Sequence, residues 1–331
     1  MNAFRCLAAA IAACSVVAPA DAQSSNPPRR AHHSIAYDET RQRVILTGGS
    51  TPRDGGSRFE FFNDLWEFNG DRWTPLVSSG EKVSGVALAY DTRRKRMVSF
   101  GGYRGMSVGD VRVLENGEWN TIGKHDAMPA AEPGFVYDPA RDRFVAFGGS
   151  AGRGQAHGDT WEYDGTAWTK VAVAGPPARQ AHAMVYDAQR RRVVLFGGMG
   201  VPAEGQPPPL FGDTWEFDGS NWRRSDGPGP SPRSGSGITY DSRSGLVVLF
   251  GGADSGGFKG DTWSWNGAEW RQHSGPGPDA RAMGYLAYDK MRARVVLFGG
   301  RTGYPDGDLA DTWEWDGAAW RQFQSPALRG R

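Results

Sequence analysis

Residues 186–199 read Tyr-Asp-Ala-Gln-Arg-Arg-Arg-Val-Val-Leu-Phe-Gly-Gly-Met, and residues 213–222 read Asp-Thr-Trp-Glu-Phe-Asp-Gly-Ser-Asn-Trp. The first stretch sets a Gly-Gly pair 11 residues after the Tyr of a Tyr-Asp pair. The second stretch holds two Trp residues seven positions apart. Both patterns recur along the chain, and their regular spacing decides the fold.

The Tyr-Asp pair occurs six times, each time with the same distance to a following Gly-Gly pair. Six equal gaps do not arise by chance, so the chain is an array of six repeats. The tyrosines are Tyr37, Tyr90, Tyr137, Tyr186, Tyr240 and Tyr288, and the first glycines are Gly48, Gly101, Gly148, Gly197, Gly251 and Gly299.

Each repeat is interpreted as four β-strands. The apolar run before Gly-Gly, such as residues 193–196, indicates a strand that is buried on both faces. An Asp-x-x-Arg sequence predicts an Asx-type turn between the first two strands of most repeats. Asn-Gly or Asp-Gly predicts a tight hairpin between the last two strands of all six. Only the second repeat lacks the first Trp, and either Arg112 or Val113 replaces it, depending on a one-residue gap.

Four strands per repeat and a period of about 50 residues are typical of kelch propellers. The Gly-Gly pairs, the Tyr-Asp pairs and the spaced aromatic residues closely resemble the kelch-repeat family, which includes the galactose oxidase propeller and the bacterial sialate mutarotases. We therefore expect an all-β, six-bladed kelch-type β-propeller with four antiparallel strands per blade. No strand is left over to complete another blade, so closure should come from packing of blade 1 against blade 6. The expected blades are about 30–76, 83–122, 130–171, 179–224, 233–272 and 281–323, with a tail at 324–331.

Residues 1–22 are typical of a signal peptide, followed by a linker at residues 23–29. Arg5 supplies the positive start, residues 7–18 are mostly apolar, and residues 20–22 fit a cleavage motif. An alternative interpretation takes residues 11–14 as a lipobox, in which case Cys14 would carry a lipid anchor. Both interpretations predict export, to the periplasm or out of the cell. No later apolar run approaches the ~18 residues of a membrane span.

Composition excludes several function classes. Lys and Arg total 38 against 37 for Asp and Glu, so net charge gives no reason to expect nucleic acid or an anionic membrane as partner. Both cysteines lie in the leader, whereas the resemblance to galactose oxidase implies a cysteine thioether for copper-radical chemistry. That chemistry is therefore excluded. No His pair has zinc-ligand spacing, so we expect no metal, no cofactor and a monomer.

The connections into the first strand of each blade and the loops after Gly-Gly should lie on one face, here called the loop face. Arginine stands seven residues before the repeat Tyr in four blades, and histidine four residues before it in two. The resemblance to kelch adaptor proteins implies that such arginines bind acidic ligands. The alternative is a structural role, with arginines paired to the aspartates that begin the third strands and histidines anchoring loops by hydrogen bonds. The ligand-binding candidates are Arg30, Arg179, Arg233, Arg281, His33 and His182, and the aspartates are Asp64, Asp110, Asp159, Asp213, Asp261 and Asp311.

Two functions fit these observations. The first is a binding module that recognises a protein, a peptide or an anionic glycan on a flat loop face built by the long loops of blades 1, 4 and 6. The second is an acidic-sugar mutarotase or epimerase of the sialate type, with Glu132 as general base. The enzyme requires Glu132 to face Arg179, Arg233 or Arg281 in a polar funnel. The aromatic candidates for partner contact are Phe59, Phe61, Phe211, Phe258 and Tyr304.

Overall fold

The computed structural model describes residues 26–76, 80–128 and 130–324. Within them the chain forms six four-stranded antiparallel sheets, which are the six predicted blades. The signal peptide, Cys14 and nearly all of the predicted tail lie outside the described residues. No helix in the described part of the chain is long and apolar enough to cross a membrane.

The first three blades follow one another along the chain, and two of them carry an additional small hairpin. Blade 1 contains β1 (Ser34–Asp38), β2 (Arg43–Thr47), β5 (Leu65–Phe68) and β6 (Trp73–Leu76), with the hairpin β3 (Ser50–Arg53) and β4 (Arg58–Phe61) joined by a 3-10 turn at Asp54–Gly56. Blade 2 contains β7 (Ala87–Asp91), β8 (Arg96–Phe100), β9 (Asp110–Glu115) and β10 (Glu118–Lys124). Blade 3 contains β11 (Gly134–Asp138), β12 (Arg143–Phe147), β15 (Thr160–Tyr163) and β16 (Trp168–Val171), with the hairpin β13 (Ser150–Gly152) and β14 (Gln155–Ala156).

The last three blades repeat the same order of strands. Blade 4 contains β17 (Ala183–Asp187), β18 (Arg192–Met199), β19 (Leu210–Phe217) and β20 (Trp222–Ser225). Blade 5 contains β21 (Gly237–Asp241), β22 (Leu246–Phe250), β25 (Thr262–Trp265) and β26 (Trp270–His273), with the hairpin β23 (Ala253–Asp254) and β24 (Gly257–Phe258). Blade 6 contains β27 (Tyr285–Asp289), β28 (Arg294–Phe298), β29 (Thr312–Trp315) and β30 (Trp320–Gln322).

The second strand of each blade is buried on both faces, as its apolar run predicts. In blade 4, Val193 and Leu195 pack against blade 3, because alternate residues of a strand point to opposite faces. Val194 and Phe196 pack against blade 5. Each junction between blades is therefore a shared hydrophobic layer, which is how a ring of sheets buries both faces.

Packing of blade 6 against blade 1 closes the ring, and that prediction is confirmed. The innermost strand β27 lies beside β1. The backbone N–H of Gly300 donates to the carbonyl of Arg30 at 3.0 Å, and Nε1 of Trp73 donates to Oγ1 of Thr312 at 2.9 Å. Each of the six blades takes its four strands from its own stretch of the chain, so blades 1 and 6 share none.

The Trp–Thr bond at closure belongs to a repeated set. The Trp of a fourth strand donates to a Thr in the third strand of the preceding blade, at 2.8–2.9 Å. The described chain shows this bond at four of the six junctions: Trp222 to Thr160, Trp270 to Thr214, Trp320 to Thr262 and Trp73 to Thr312. The equivalent positions in blades 1 and 2 are the apolar residues Leu65 and Val111. Both junctions of blade 2 therefore lack the bond.

Strand register resolves the sequence ambiguity in blade 2. Val111 pairs with Phe100, as Thr160 pairs with Phe147 in blade 3. The residue after Val111 is Arg112, so Arg112 and not Val113 stands where the other blades have Trp. Its Nη2 donates to Oδ2 of Asp110 at 3.0 Å, and this N–H replaces the indole N–H that donates to the equivalent aspartate in blades 1, 4, 5 and 6.

Candidate functional site

The four predicted arginines lie below the loop face and pair within their own blades. Nη1 and Nη2 of Arg179 donate to the two carboxylate oxygens of Asp213 at 2.6 and 3.0 Å. Nη1 also donates to the carbonyl of Gly197, the first residue of the Gly-Gly pair, and Nε donates to the carbonyl of Pro177. The same bonds recur in Arg30–Asp64, Arg233–Asp261 and Arg281–Asp311.

Burial separates these guanidinium groups from solvent. Arg179 is 0% exposed, and the other three arginines are at most 2% exposed. Burial alone would raise the pKa of Asp213, but hydrogen bonds from Arg179 and Trp215 lower it on balance. A planar guanidinium that donates to both oxygens of a carboxylate and to two backbone carbonyls has few N–H groups left to bind a ligand. We therefore assign these arginines the structural role, and no ligand role is proposed for them.

Blades 2 and 3 have no such arginine, and their third-strand aspartates pair with other basic side chains. Asp110 accepts hydrogen bonds from Arg104 of its own loop and from Arg112. Asp159 in blade 3 forms an ion pair with Lys170 at 2.8 Å, and both side chains are 53% exposed. The buried, bidentate Arg–Asp pair is therefore a feature of blades 1, 4, 5 and 6 and not of blades 2 and 3.

The predicted histidines are buried among aromatic rings, and in the described part of the chain the ring nitrogens of His182 have no hydrogen-bond partner. His33 meets the rings of Tyr285 and Phe298 edge-on, and His182 meets Phe147 in the same way. Burial, then the charge of Arg179, lowers the pKa of His182 to about 3. Burial, then the charge of Arg30, holds the pKa of His33 well below its usual value. Burial disfavours the charged form of both imidazoles, and a backbone hydrogen bond of Phe298 acts against the lowered pKa of His33, so loop anchoring by these rings stays a prediction.

Glu132 lies at the loop-face mouth of the central channel. Its carboxylate hydrogen-bonds Nδ1 of His32 across blade 2, where Gly85 leaves room; a Cβ on Gly85 would lie 2.9 Å from Cγ of Glu132. Burial alone would raise the pKa of Glu132, but the charge and hydrogen bond of His32 and the charge of Arg301 lower it on balance. Sequence reasoning missed His32 because its partner lies two repeats away.

The innermost strands surround a central channel with a cavity of about 330 Å³. Glu132 and His182 line it, whereas none of the four paired arginines does. The side chain of Tyr285 also faces it, and burial, then the charge of Glu132, raises the pKa of its hydroxyl well above the usual value. The expected funnel, with Glu132 facing an arginine of the repeated set, is not found among the described residues. No group of three or more possible metal-ligating His, Cys, Asp or Glu occurs there either.

Aromatic side chains form a row across the loop face of blades 6, 1 and 2. The ring centroids of Phe59 and Tyr304 are 6.2 Å apart, and those of Phe61 and Tyr103 are 6.1 Å apart. Phe59 and Phe61 lie on the same side of β4 because they are two residues apart in a strand. The hydroxyl of Tyr304 donates to the carbonyl of Gly56 at 2.6 Å and fixes the blade 6 loop to the β3–β4 hairpin. We call Tyr304, Phe59, Phe61 and Tyr103 the aromatic row.

Blades 6 and 1 contribute to the aromatic row and were expected to contribute to the contact surface. Blade 2 contributes as well and was not expected to. The long loop of blade 4 is absent from the row, because Phe211 lies under the guanidinium of Arg179, 4.0 Å from its Cζ. Tyr103 was missed, although the sequence carries a signal. It follows the Gly-Gly pair directly, at a position where the other blades have Ser50, Ser150, Met199, Ala253 and Arg301.

Comparison with known proteins agrees with the architecture. A family model described as the KLHDC2/KLHL20/DRC7 Kelch-repeats domain matches residues 136–328. The alpha chain of flagellar outer arm dynein from Chlamydomonas reinhardtii is 26% identical over 203 residues, which cover 54% of this chain and 4% of the dynein chain. The present chain thus spans only a small part of that curated relative. The family match covers more than half of the chain and agrees with its six four-stranded blades, and the chain therefore belongs to the kelch-repeat family.

Proposed function

We propose that this kelch propeller is a protein-binding module whose contact surface is the aromatic row. Kelch domains are generally protein-binding modules, and the row is the surface of this chain best suited to such contact. The observation that carries the proposal is the concentration of exposed apolar side chains at one place on the loop face.

Large hydrophobic side chains are exposed at few positions of the described chain. Four of them belong to the aromatic row or lie beside it: Phe59 at 44%, Tyr103 at 40%, Tyr304 at 58% and Met106 at 71%. Exposed apolar groups that are contiguous, and not scattered, are typical of interaction sites. Tyr and Phe also provide large contact areas with few rotatable bonds, so little conformational entropy is lost on binding.

Binding should be tested by selecting a random linear peptide library on the immobilised propeller. Selected peptides should bind the Phe59→Ala/Tyr304→Ala variant about tenfold more weakly, because two central aromatic contacts are lost. Met291→Ala is the matched control, since Met291 is 67% exposed but lies in a turn on the opposite face. It should leave the Kd within about twofold. The proposal would be overturned if the selected peptides bound the double variant as tightly as the wild type, or if no peptide could be selected.

We also propose that the propeller works outside the cytoplasm, on the basis of the charged start, apolar run and cleavage motif of residues 1–22. N-terminal sequencing of the protein recovered from the cell envelope or medium should begin at Gln23. A mature protein that begins with lipidated Cys14 would favour the lipoprotein alternative, and an intact Met1 in the cytoplasm would contradict export.

A further inference from the structure

The β3–β4 hairpin carries the centre of the aromatic row and has two unlike edges. On the β3 side, Ala31 and Ser50 exchange backbone hydrogen bonds of 3.0 and 2.9 Å, and Ser50 and Thr51 are buried. On the other side, β4 has no further strand, because in the described chain β3 and β4 form a sheet of two. The hairpin therefore presents β4 as an open edge.

Strand register shows which backbone groups of β4 point outward. Phe61 pairs with Ser50, and the N–H of Phe62 donates to the carbonyl of Gly49 at 3.0 Å. That bond makes Ser50–Phe61 a non-hydrogen-bonded pair, so Phe61 directs its N–H and C=O away from β3. Pro52 opposite Phe59, two residues away, fits the same pattern because proline has no N–H to give.

Four backbone groups are thus directed outward along β4: the N–H and C=O of Phe59 and those of Phe61. In the described residues no backbone or side-chain hydrogen bond reaches them. Edge strands in proteins are commonly protected by proline, lysine or a bulge. In this hairpin the proline lies on β3, the covered strand. The two residues with open backbone groups are also the two residues of β4 whose rings belong to the aromatic row.

The hairpin carries two arginines and two carboxylates, and Arg58 is the more exposed and less closely paired of the arginines. Glu60 is neutralised by Nε of Arg53 at 2.7 Å. Arg58 is 81% exposed, and its only carboxylate partner among the described residues is Asp54 at 3.9 Å, which is itself 66% exposed. Exposed pairs of this kind contribute little, so Arg58 remains available to a carboxylate on a partner.

We propose that the partner of the aromatic row is an extended peptide segment that adds to β4 as a third strand. Its backbone hydrogen-bonds Phe59 and Phe61, its alternate apolar side chains cover their rings, and an Asp or Glu of its polar face meets Arg58. This inference rests on the proposed function but makes a separate claim, because a helix or a polyproline segment could cover the same rings without touching the edge of β4.

Amide hydrogen exchange by NMR tests strand addition directly, with a peptide that depends on the aromatic row as probe. In the free protein the amides of Phe59 and Phe61 should exchange fast, whereas those of Arg58 and Glu60, which point toward β3, should be slower. Saturation with the peptide should slow Phe59 and Phe61 about tenfold or more and leave Arg58 and Glu60 little changed. Binding that leaves Phe59 and Phe61 fast would overturn strand addition while the proposed function stands.

Modified peptides and one charge reversal provide the second readout. N-methylation of every second amide of the peptide, the set that faces β4, should weaken binding about tenfold per amide, and methylation of the intervening set should not. Equal tolerance of both sets would contradict the inference. Arg58→Glu should weaken binding about fivefold, whereas Arg271→Glu, an exposed arginine on β26, should have no effect. Tighter binding to Arg58→Glu would contradict the expected carboxylate.

Discussion

Arg179 reaches Asp213 with both terminal nitrogens, at 2.6 and 3.0 Å, across the width of blade 4. The pair joins the connection that enters the blade to its third strand, and a further bond of Arg179 reaches the carbonyl of Gly197 in the second strand. Three segments that are separate in sequence are thus fastened by one side chain. The hydrogen-bonded network explains why an arginine and an aspartate recur at fixed places in four blades.

Removing Arg179 should destabilise the propeller strongly. Arg179→Gln removes the cation that pairs with the largely buried carboxylate of Asp213 and leaves it with hydrogen bonds from the indole N–H of Trp215 and from its own backbone, so the free energy of unfolding should fall by about 3 kcal/mol. Urea denaturation measures the loss. Arg271→Gln, an exposed arginine on β26, should change stability by less than about 0.5 kcal/mol. An Arg179→Gln variant as stable as the wild type would reopen a ligand role for this arginine.

The fold could be predicted from sequence because the repeat fixes strand order, strand burial and the turn residues in every copy. The functional surface could not, because its contacts cross repeats. Within a repeat, the spacing of Arg179 left a ligand role and a pair with a third-strand aspartate both open, and the geometry shows the pair with Asp213. The contact of Phe61 with Tyr103 depends on the orientation of the β3–β4 hairpin. Packing of the loops sets that orientation, and the sequence repeat does not encode it.

Thr214→Val should weaken the junction between blades 4 and 5. The substitution keeps the shape of the side chain but removes the oxygen that accepts the indole N–H of Trp270 at 2.8 Å, so a buried donor loses its partner. The expected cost is about 1–2 kcal/mol in the free energy of unfolding. Thr169→Val, on the exposed strand β16 of blade 3, is the control and should be near neutral. Equal stability of the two variants would show that the Trp–Thr bonds contribute nothing.

Acidification should destabilise the protein through His182. Its pKa is lowered in the folded state to about 3 from an ordinary 6.5, so below pH 6.5 the unfolded chain binds a proton that the folded chain does not. Stability therefore falls as the pH falls through this window. His182→Val introduces at position 182 the residue type that blade 2 has at the equivalent position, Val86. The loss between pH 6.5 and 5 should be smaller in this variant by about 2 kcal/mol.

The control for His182→Val is Ser236→Val, the same substitution at the equivalent position of blade 5. Ser236 donates to the carbonyl of Gly251 at 2.9 Å, so its loss should lower stability, but equally at both pH values because serine does not titrate. Chemical denaturation at the two pH values gives the comparison. If His182→Val shows the same pH dependence as the wild type, the buried imidazole is not the source.

Val111→Thr should restore a missing bond between blades 2 and 3. In the wild type the indole N–H of Trp168 is buried without a partner, and Val111 occupies the place where blades 3 to 6 have the accepting Thr. A hydroxyl buried in an apolar layer normally costs about 1–3 kcal/mol. At position 111 the new hydrogen bond should offset that cost, so the variant should match or exceed the wild-type stability by up to about 1 kcal/mol.

Val113→Thr is the matched control, since Val113 is equally buried on the same strand, and it should show the full loss. Equal destabilisation by the two substitutions would mean that Trp168 cannot reach position 111, and that the junction of blades 2 and 3 is built without the Trp–Thr geometry of the others.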